Sequence, residues 1–317
     1  MVLKELQKVF LKKSDIFTDI LGQDQLKKEL KSALAMGRNV IIQGPPGVGK
    51  TTLAKNVASL LGKDAPFIRI QGSPDLTAED LFGDIDPIKA LKFGPLSKEA
   101  FTPGKIFKAD KGVLFFDELN RCPEKLQNAL LQVLQERIVT IGSYSVDFTA
   151  DFIFIGTMNP EDASTEKLSN VFLDRMDVLY MTYPETLDIE EHIVTEQGER
   201  LDVRFPKNLL TFSVGFVREL RSNPQLLHVP SVRASLGLYE RGQSMAILEG
   251  RKEVTMADIK AIMHSVIAHR IKLKPSVQYL KKPKEFVKEA FNSFTNAKGF
   301  HNQGDDHEES SDDGDVP

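Results

Sequence analysis

The chain has no tryptophan and a single cysteine, Cys122. One cysteine cannot close an intrachain disulfide, and it excludes a cysteine-rich metal centre. Cys122 follows an acidic pair and precedes Pro123, a setting that predicts a small buried residue rather than a reactive thiol. Long apolar runs are also missing: no stretch approaches the roughly 20 consecutive apolar residues that span a bilayer. The N-terminal residues MVLKELQKVFLKKSD carry no signal-like apolar core. These absences predict a cytoplasmic protein with no membrane partner. The six histidines are scattered, and His264 and His269 are five apart, a spacing that does not place them on one helical face.

Charge of one sign is concentrated at one end only. From Asp305 to Pro317 the chain holds seven Asp and Glu and no Lys or Arg. Without those seven, 38 acidic residues face 41 basic ones, so the net charge of −4 becomes +3 over the body. A segment this polar cannot bury enough apolar surface to order itself and reads as disordered. The nearly neutral body does not mark a nucleic-acid binder.

What is present is a series of short apolar runs alternating with helical stripes. Val40–Gln43, Phe67–Ile70, Val113–Phe116, Phe152–Ile155 and Val178–Met181 have the length and continuous apolarity of buried parallel strands. Leu26, Leu30 and Leu34, then Leu53, Val57 and Leu60, then Leu126, Leu130, Val133 and Leu134 form helical stripes between them. Past Tyr183-Pro184 only helical patterns follow, including 231–248 and 256–271. The fold predicted is α/β: a five-stranded parallel sheet in an αβα sandwich, followed by a small all-helical domain. The expected segments are an N-terminal helix over 1–20 ending near Ser14 to Thr18, a nucleotide-binding domain over 21–184 and a helical lid over 185–274. A basic helical extension over 275–300 and the acidic tail over 301–317 complete them.

GPPGVGKT at 44–51 fits the pattern G-x-x-x-x-G-K-[ST] at every fixed position. It follows an apolar strand and opens a helix, as a phosphate cradle requires. Gly44, Pro45, Pro46, Gly47, Val48, Gly49, Lys50, Thr51 and Thr52 are therefore the expected nucleotide contacts. Lys50 is expected on the β- and γ-phosphates and Thr51 on Mg²⁺. FFDEL at 115–119 places two carboxylates at a strand end. Asp117 is the expected second metal residue, and Glu118 the general base that polarises the attacking water. The plainer reading, that the pair caps the next helix, loses ground beside the glycine loop. Thr157-Met158-Asn159-Pro160 ends the fourth strand, and Asn159 there is placed to orient the water or sense the γ-phosphate. The expected cofactors are ATP and Mg²⁺.

These residues resemble the AAA+ ATPases and, within them, the MoxR group. FFDELNRCPEKLQNALLQVLQERIVTIG at 115–142 carries most of the resemblance, which runs over roughly 20–271. GTMNP at 156–160 is similar to the family's sensor-1 segment. Phe172-Leu173-Asp174-Arg175 is similar to its Leu-Asp-Arg segment, and 229–259 to its sensor-2 helix. The resemblance implies that Arg175 is an arginine finger acting on a neighbouring subunit's nucleotide and that Arg233 is the sensor-2 arginine. It implies a restraint of Glu118 by Gln71, a helix-2 insert within Gly72 to Asp110 and a hairpin over Val139 to Ala150. It further implies a homo-oligomeric ring, usually a hexamer, a von Willebrand factor A-type partner, a protein client and a chaperone function. Met176, where a Phe often follows the arginine, and the acidic tail depart from the family pattern.

Two other functions stay open on the residues alone. A magnesium-chelatase-like motor subunit shares the core and the insertions, but its glycine-rich insert segments are not evident. A DNA translocase or helicase subunit would use the hairpin, yet Ser143 to Thr149 holds no Lys or Arg and no zinc module is visible. A scaffold that binds nucleotide without turnover is argued against by Glu118, Asn159 and Arg175.

Overall fold

The computed structural model describes residues 7–299 except 13, 63, 95–96, 137–138, 142–143, 147–150 and 161–167. At 98, 139–141 and 144–146 the backbone alone is described. The acidic tail lies outside the described residues, as does the end of the expected hairpin. Two compact units divide the chain, Met1–Ile189 and Glu190–Pro317.

In the first unit β1 (Val40–Gln43) and β2 (Phe67–Gln71) precede an antiparallel pair, β3 (Gly83–Ile85) with β4 (Phe101–Pro103). β5 (Val113–Asp117) comes next. The pair β6 (Val139–Ile141) and β7 (Tyr144–Val146) is again antiparallel, and β8 (Ile153–Met158) and β9 (Asp177–Tyr180) complete the unit. The expected five-stranded parallel sheet is formed in the order β2-β5-β8-β1-β9. Successive strand residues point to opposite faces, and two cores result. Ile41, Ile70, Leu114, Phe116 and Phe154 face one with the helix Glu124–Glu136. Val40, Ile42, Val113, Phe115 and Ile155 face the other with the helices Asp24–Ala35 and Lys50–Leu61. All ten are buried, each contributing about 1.5–3 kcal/mol of apolar transfer. Cys122 is fully buried, as expected.

The N-terminal segment corrects one expectation. Helix is present at 7–10 but stops there instead of reaching Ser14 to Thr18. The Lys31 ammonium donates to the carbonyls of Lys12 and Ser14, and the Asp15 carboxylate accepts the Phe17 N–H. Backbone groups that a helix would use are thus spent on a turn. Phe10, Phe17 and Ile20 are buried in the second core, so the segment is part of the domain.

The second unit is helical, with long helices at Leu187–Gln197 (which begins before the division), Lys207–Arg221, Val232–Leu248 and Met256–Ile267. A short antiparallel ladder, β10 (Leu226–His228) with β11 (Lys272–Leu273), breaks the expected all-helical pattern. Both strands are too short to give a period-2 signal. The helix Pro283–Ala297, expected as an extension, belongs to the same core: Phe286, Val287 and Phe291 are buried in it, and Phe291 stacks edge-on against Phe212 and Phe216.

Candidate functional site

The strand order decides which residues meet. β8 lies between β5 and β1, and all run the same way. The glycine loop leaves the end of β1, Asp117 ends β5, and Asn159 follows β8, so all three emerge at one sheet edge. Gly44 N–H donates to the Met158 carbonyl at 3.2 Å, tying the loop to that edge. Two strand spacings of about 4.8 Å separate the loop from Asp117, room for a phosphate group and a cation.

Within the loop, Gly47 and Gly49 adopt positive φ of 72° and 105°, the conformation that turns N–H groups inward. Gly44 is a glycine for a second reason: a Cβ there would lie 2.2 Å from the Met181 carbonyl oxygen on β9's end. The Lys50 ammonium donates to the carbonyls of Gly44 and Pro45 at 2.6 and 2.9 Å, bridging the loop from its far side. Thr51 and Thr52 follow it in the helix Lys50–Leu61, half-buried.

Across the edge, Asp117 and Glu118 sit in a connected polar network. The buried Thr157 hydroxyl donates to Asp117 Oδ1 at 2.6 Å and accepts the Glu118 N–H at 3.0 Å. Arg69, on the adjacent β2, donates to Asp117 Oδ2 at 2.6 Å. Gln71 Nε2 donates to Glu118 Oε2 at 2.8 Å, and Arg121 lies 3.2 Å from the same oxygen. Glu118 occupies the left-handed region at φ 53°, ψ 48°. That conformation costs a non-glycine residue roughly 1–2 kcal/mol, and it turns the Glu118 side chain out of the strand direction beside Asp117. Gly72 makes this possible, since a Cβ there would lie 2.1 Å from the Glu118 carbonyl oxygen. The half-buried Asn159 is held from behind, its carbonyl accepting from the buried Asn120 Nδ2 at 3.2 Å.

The donor set fits a hard dication. Asp117 and Thr51 offer only oxygen, and Asp117 already holds a cation in the form of the Arg69 guanidinium. Among the described residues no group of three His, Cys, Asp or Glu could hold a metal alone. That pattern suits Mg²⁺, which takes one or two protein oxygens and fills its shell with phosphate and water.

Arg175 is not at this edge. It precedes β9, whose Asp177 pairs with Val40 at the start of β1, so it lies where the strands begin. Its guanidinium donates to the Val171 carbonyl at 2.9 Å. Arg233 is in the second unit, exposed on the helix Val232–Leu248. Arg241 lies two turns along the same face and donates to Ser265 Oγ at 2.7 Å, while Arg270 donates to the neighbouring Val266 carbonyl. Burial, and then the charges of Arg233 and Arg241, press the Arg270 guanidinium below its ordinary value. Among the described residues every other arginine lies against a carboxylate; Arg175, Arg233, Arg241 and Arg270 do not. The sequence reading missed Arg69, Gly72, Arg121 and Thr157.

A parallel sheet in this order with a glycine loop and an acidic strand end at one edge defines a P-loop nucleotide-binding protein. The family model for the AAA domain of the dynein-related subfamily matches residues 39–176, and that for an AAA lid domain matches 219–290. The chain is 30% identical to uncharacterized protein YeaC of Bacillus subtilis, over 79% of this chain and 82% of that one. It is 28% identical to Chaperone MoxR1 of Mycobacterium tuberculosis, over 80% and 73%. NtrX from Brucella abortus in complex with ADP shares the fold, with a TM-score of 0.53 at 15% identity over 89% and 67% of the chains. The chain belongs to the MoxR group of the AAA+ ATPases. No helix among the described residues is long and apolar enough to cross a membrane.

Proposed function

We propose that this chain hydrolyses ATP as a MoxR-type ring motor that remodels or matures partner protein complexes. One observation carries the hydrolytic reading. Glu118 is turned beside Asp117 by a positive-φ backbone, at the sheet edge from which the glycine loop leaves. In this reading the loop N–H groups and Lys50 hold the phosphates of ATP. Thr51 and Asp117 would hold Mg²⁺, which when bound neutralises charge on the β- and γ-phosphate oxygens. Glu118 takes a proton from the attacking water, and Asn159, between loop and carboxylates, orients it.

Completion of the site between subunits is supported by Arg175. It stands at the edge opposite the glycine loop of its own chain and has no carboxylate to neutralise it among the described residues. A neighbouring subunit's γ-phosphate is the anion that such a side chain lacks. Arg233, clustered with Arg241 and Arg270 and likewise without a carboxylate, is assigned the sensor role from the second unit. A closed homo-oligomer, a hexamer by family resemblance, follows from a finger acting in trans. A von Willebrand factor A-type partner, a protein client and a cytoplasmic location complete the proposal. The chaperone named among the relatives supports a protein client over nucleic acid.

Glu118→Gln tests the hydrolytic reading. Phosphate release is expected to fall by about 10²–10⁴-fold, the usual worth of a general base, with ATP still bound. Turnover at the wild-type rate would remove Glu118 as the base.

A further inference from the structure

We infer that Arg69 is a counter-ion displaced from Asp117 by the metal, and that its departure releases Glu118. The inference rests on the proposed ATPase reading and adds a residue and a coupling to it.

Arg69 lies on β2 opposite Phe115, and Gln71 lies opposite Asp117. From that position the Arg69 guanidinium reaches both acidic residues, one directly and one through an intermediary. Nη2 donates to Asp117 Oδ2 at 2.6 Å and to Gln71 Oε1 at 3.3 Å. The other carboxylate oxygen, Asp117 Oδ1, is engaged by the Thr157 hydroxyl. Oδ2 is thus the oxygen left for a metal, and a guanidinium sits on it. Two cations on one oxygen repel, so the metal and Arg69 compete. Arg69 has room to leave, with half of its side chain exposed at 51%, whereas Asp117 is fixed at 14%.

Gln71 carries the effect onward. A guanidinium is a donor only, so it orients the amide with Oε1 toward Arg69 and Nε2 toward Glu118. The 2.8 Å bond from Nε2 to Glu118 Oε2, which the carboxylate also favours, is thus reinforced while Arg69 holds Oε1. With Arg69 on Asp117, the network is closed and Glu118 is held as an acceptor for Gln71. With Arg69 gone, Gln71 loses its anchor, Glu118 Oε2 is left with Arg121 alone, and the carboxylate opens further to water. In the pair Arg38–Asp177 the arginine is similarly exposed, but among the described residues the pair shows no hydrogen bond to a third side chain, so it has no such consequence.

The experiment uses the full chain and a fluorescent ADP analogue, and compares its Kd with Mg²⁺ and with EDTA. The ratio of the two is the metal–nucleotide coupling. Removal of the competing charge by Arg69→Gln is expected to raise that ratio about 5–10-fold, within the usual range for linked sites. The Mg²⁺ concentration for half-maximal turnover should fall by a similar factor. Arg69→Lys keeps a charge but places it on a shorter, more strongly hydrated head group, so its ratio should lie between the two. A ratio in Arg69→Gln that is unchanged, or lower than wild type, overturns the inference. Failure of the wild-type protein to bind the analogue under either condition would instead overturn the nucleotide-site reading on which it rests.

Discussion

Two acid–arginine clusters in this molecule use the same chemistry for opposite ends. In the second unit, Glu190 is fully buried, and Arg221 grips both of its oxygens at 2.6 Å while Arg218 and Ser235 add further donors at 3.3 and 2.6 Å. In the first, Asp117 and Glu118 face Arg69 and Arg121 at a strand end, where both arginines and Glu118 are more than a third exposed. A buried ion pair cannot exchange its partner for water or metal without a large penalty, so it acts as a rivet. An exposed pair contributes little to stability and can open at small cost. Burial rather than residue type separates structure from chemistry here.

The largest effect that would sharpen this comparison comes from an arginine outside both clusters. Arg175→Ala is expected to lower ATP turnover by about 10³-fold or more, as loss of an arginine finger does. Nucleotide binding should be spared, and rings mixed with wild type should regain part of the activity. Mixed rings as inactive as the pure variant, or a single-subunit enzyme of full activity, would refute action in trans. Next is Gly72→Ala. Its Cβ would press to 2.1 Å from the Glu118 carbonyl, so β2 must shift, at a cost of about 1–3 kcal/mol. Turnover should fall more than tenfold while the second unit melts as before.

The smallest effect concerns Asp258, which closes a capping box with Thr255 and is forked by Arg251 at 2.5 and 2.7 Å. Burial raises its carboxyl pKa, but the Arg251 and Thr255 donors outweigh burial and hold it below the usual range. A depressed pKa contributes stability above the ordinary carboxylate value that is lost as pH falls through the folded one. Acid melts should therefore weaken the second unit below about pH 4. Asp258→Asn should cost about 1–2 kcal/mol at pH 7 and flatten that part of the profile.

Much of the sheet and of the site could be read from sequence because their signals are local. Val40–Gln43 and Val113–Phe116 are continuous apolar runs, and the glycine loop is a contiguous pattern beside one of them. Arg69 and Thr157 escaped notice because their roles are set by register. Arg69 reads as the exposed residue of a strand until β2 is laid beside β5, 48 positions away. Thr157 meets Asp117 across 40 positions. Gly72 reads as a turn residue until Glu118 adopts positive φ. The early end of the N-terminal helix depends on Lys31 reaching back to Lys12 and Ser14, a contact no helical stripe announces.

The central claim is tested most directly by crossing two equivalent substitutions with two readouts. Glu118→Gln and Glu190→Gln each remove one carboxylate charge, and each protein is assayed for thermal unfolding and for phosphate release. Glu118→Gln should melt at the wild-type temperature and release phosphate at least about 100-fold more slowly. Glu190→Gln should lose about 3 kcal/mol and melt roughly 10 °C lower in its second unit. The account is contradicted if Glu190→Gln melts with the wild type, or if Glu118→Gln unfolds early while keeping its turnover.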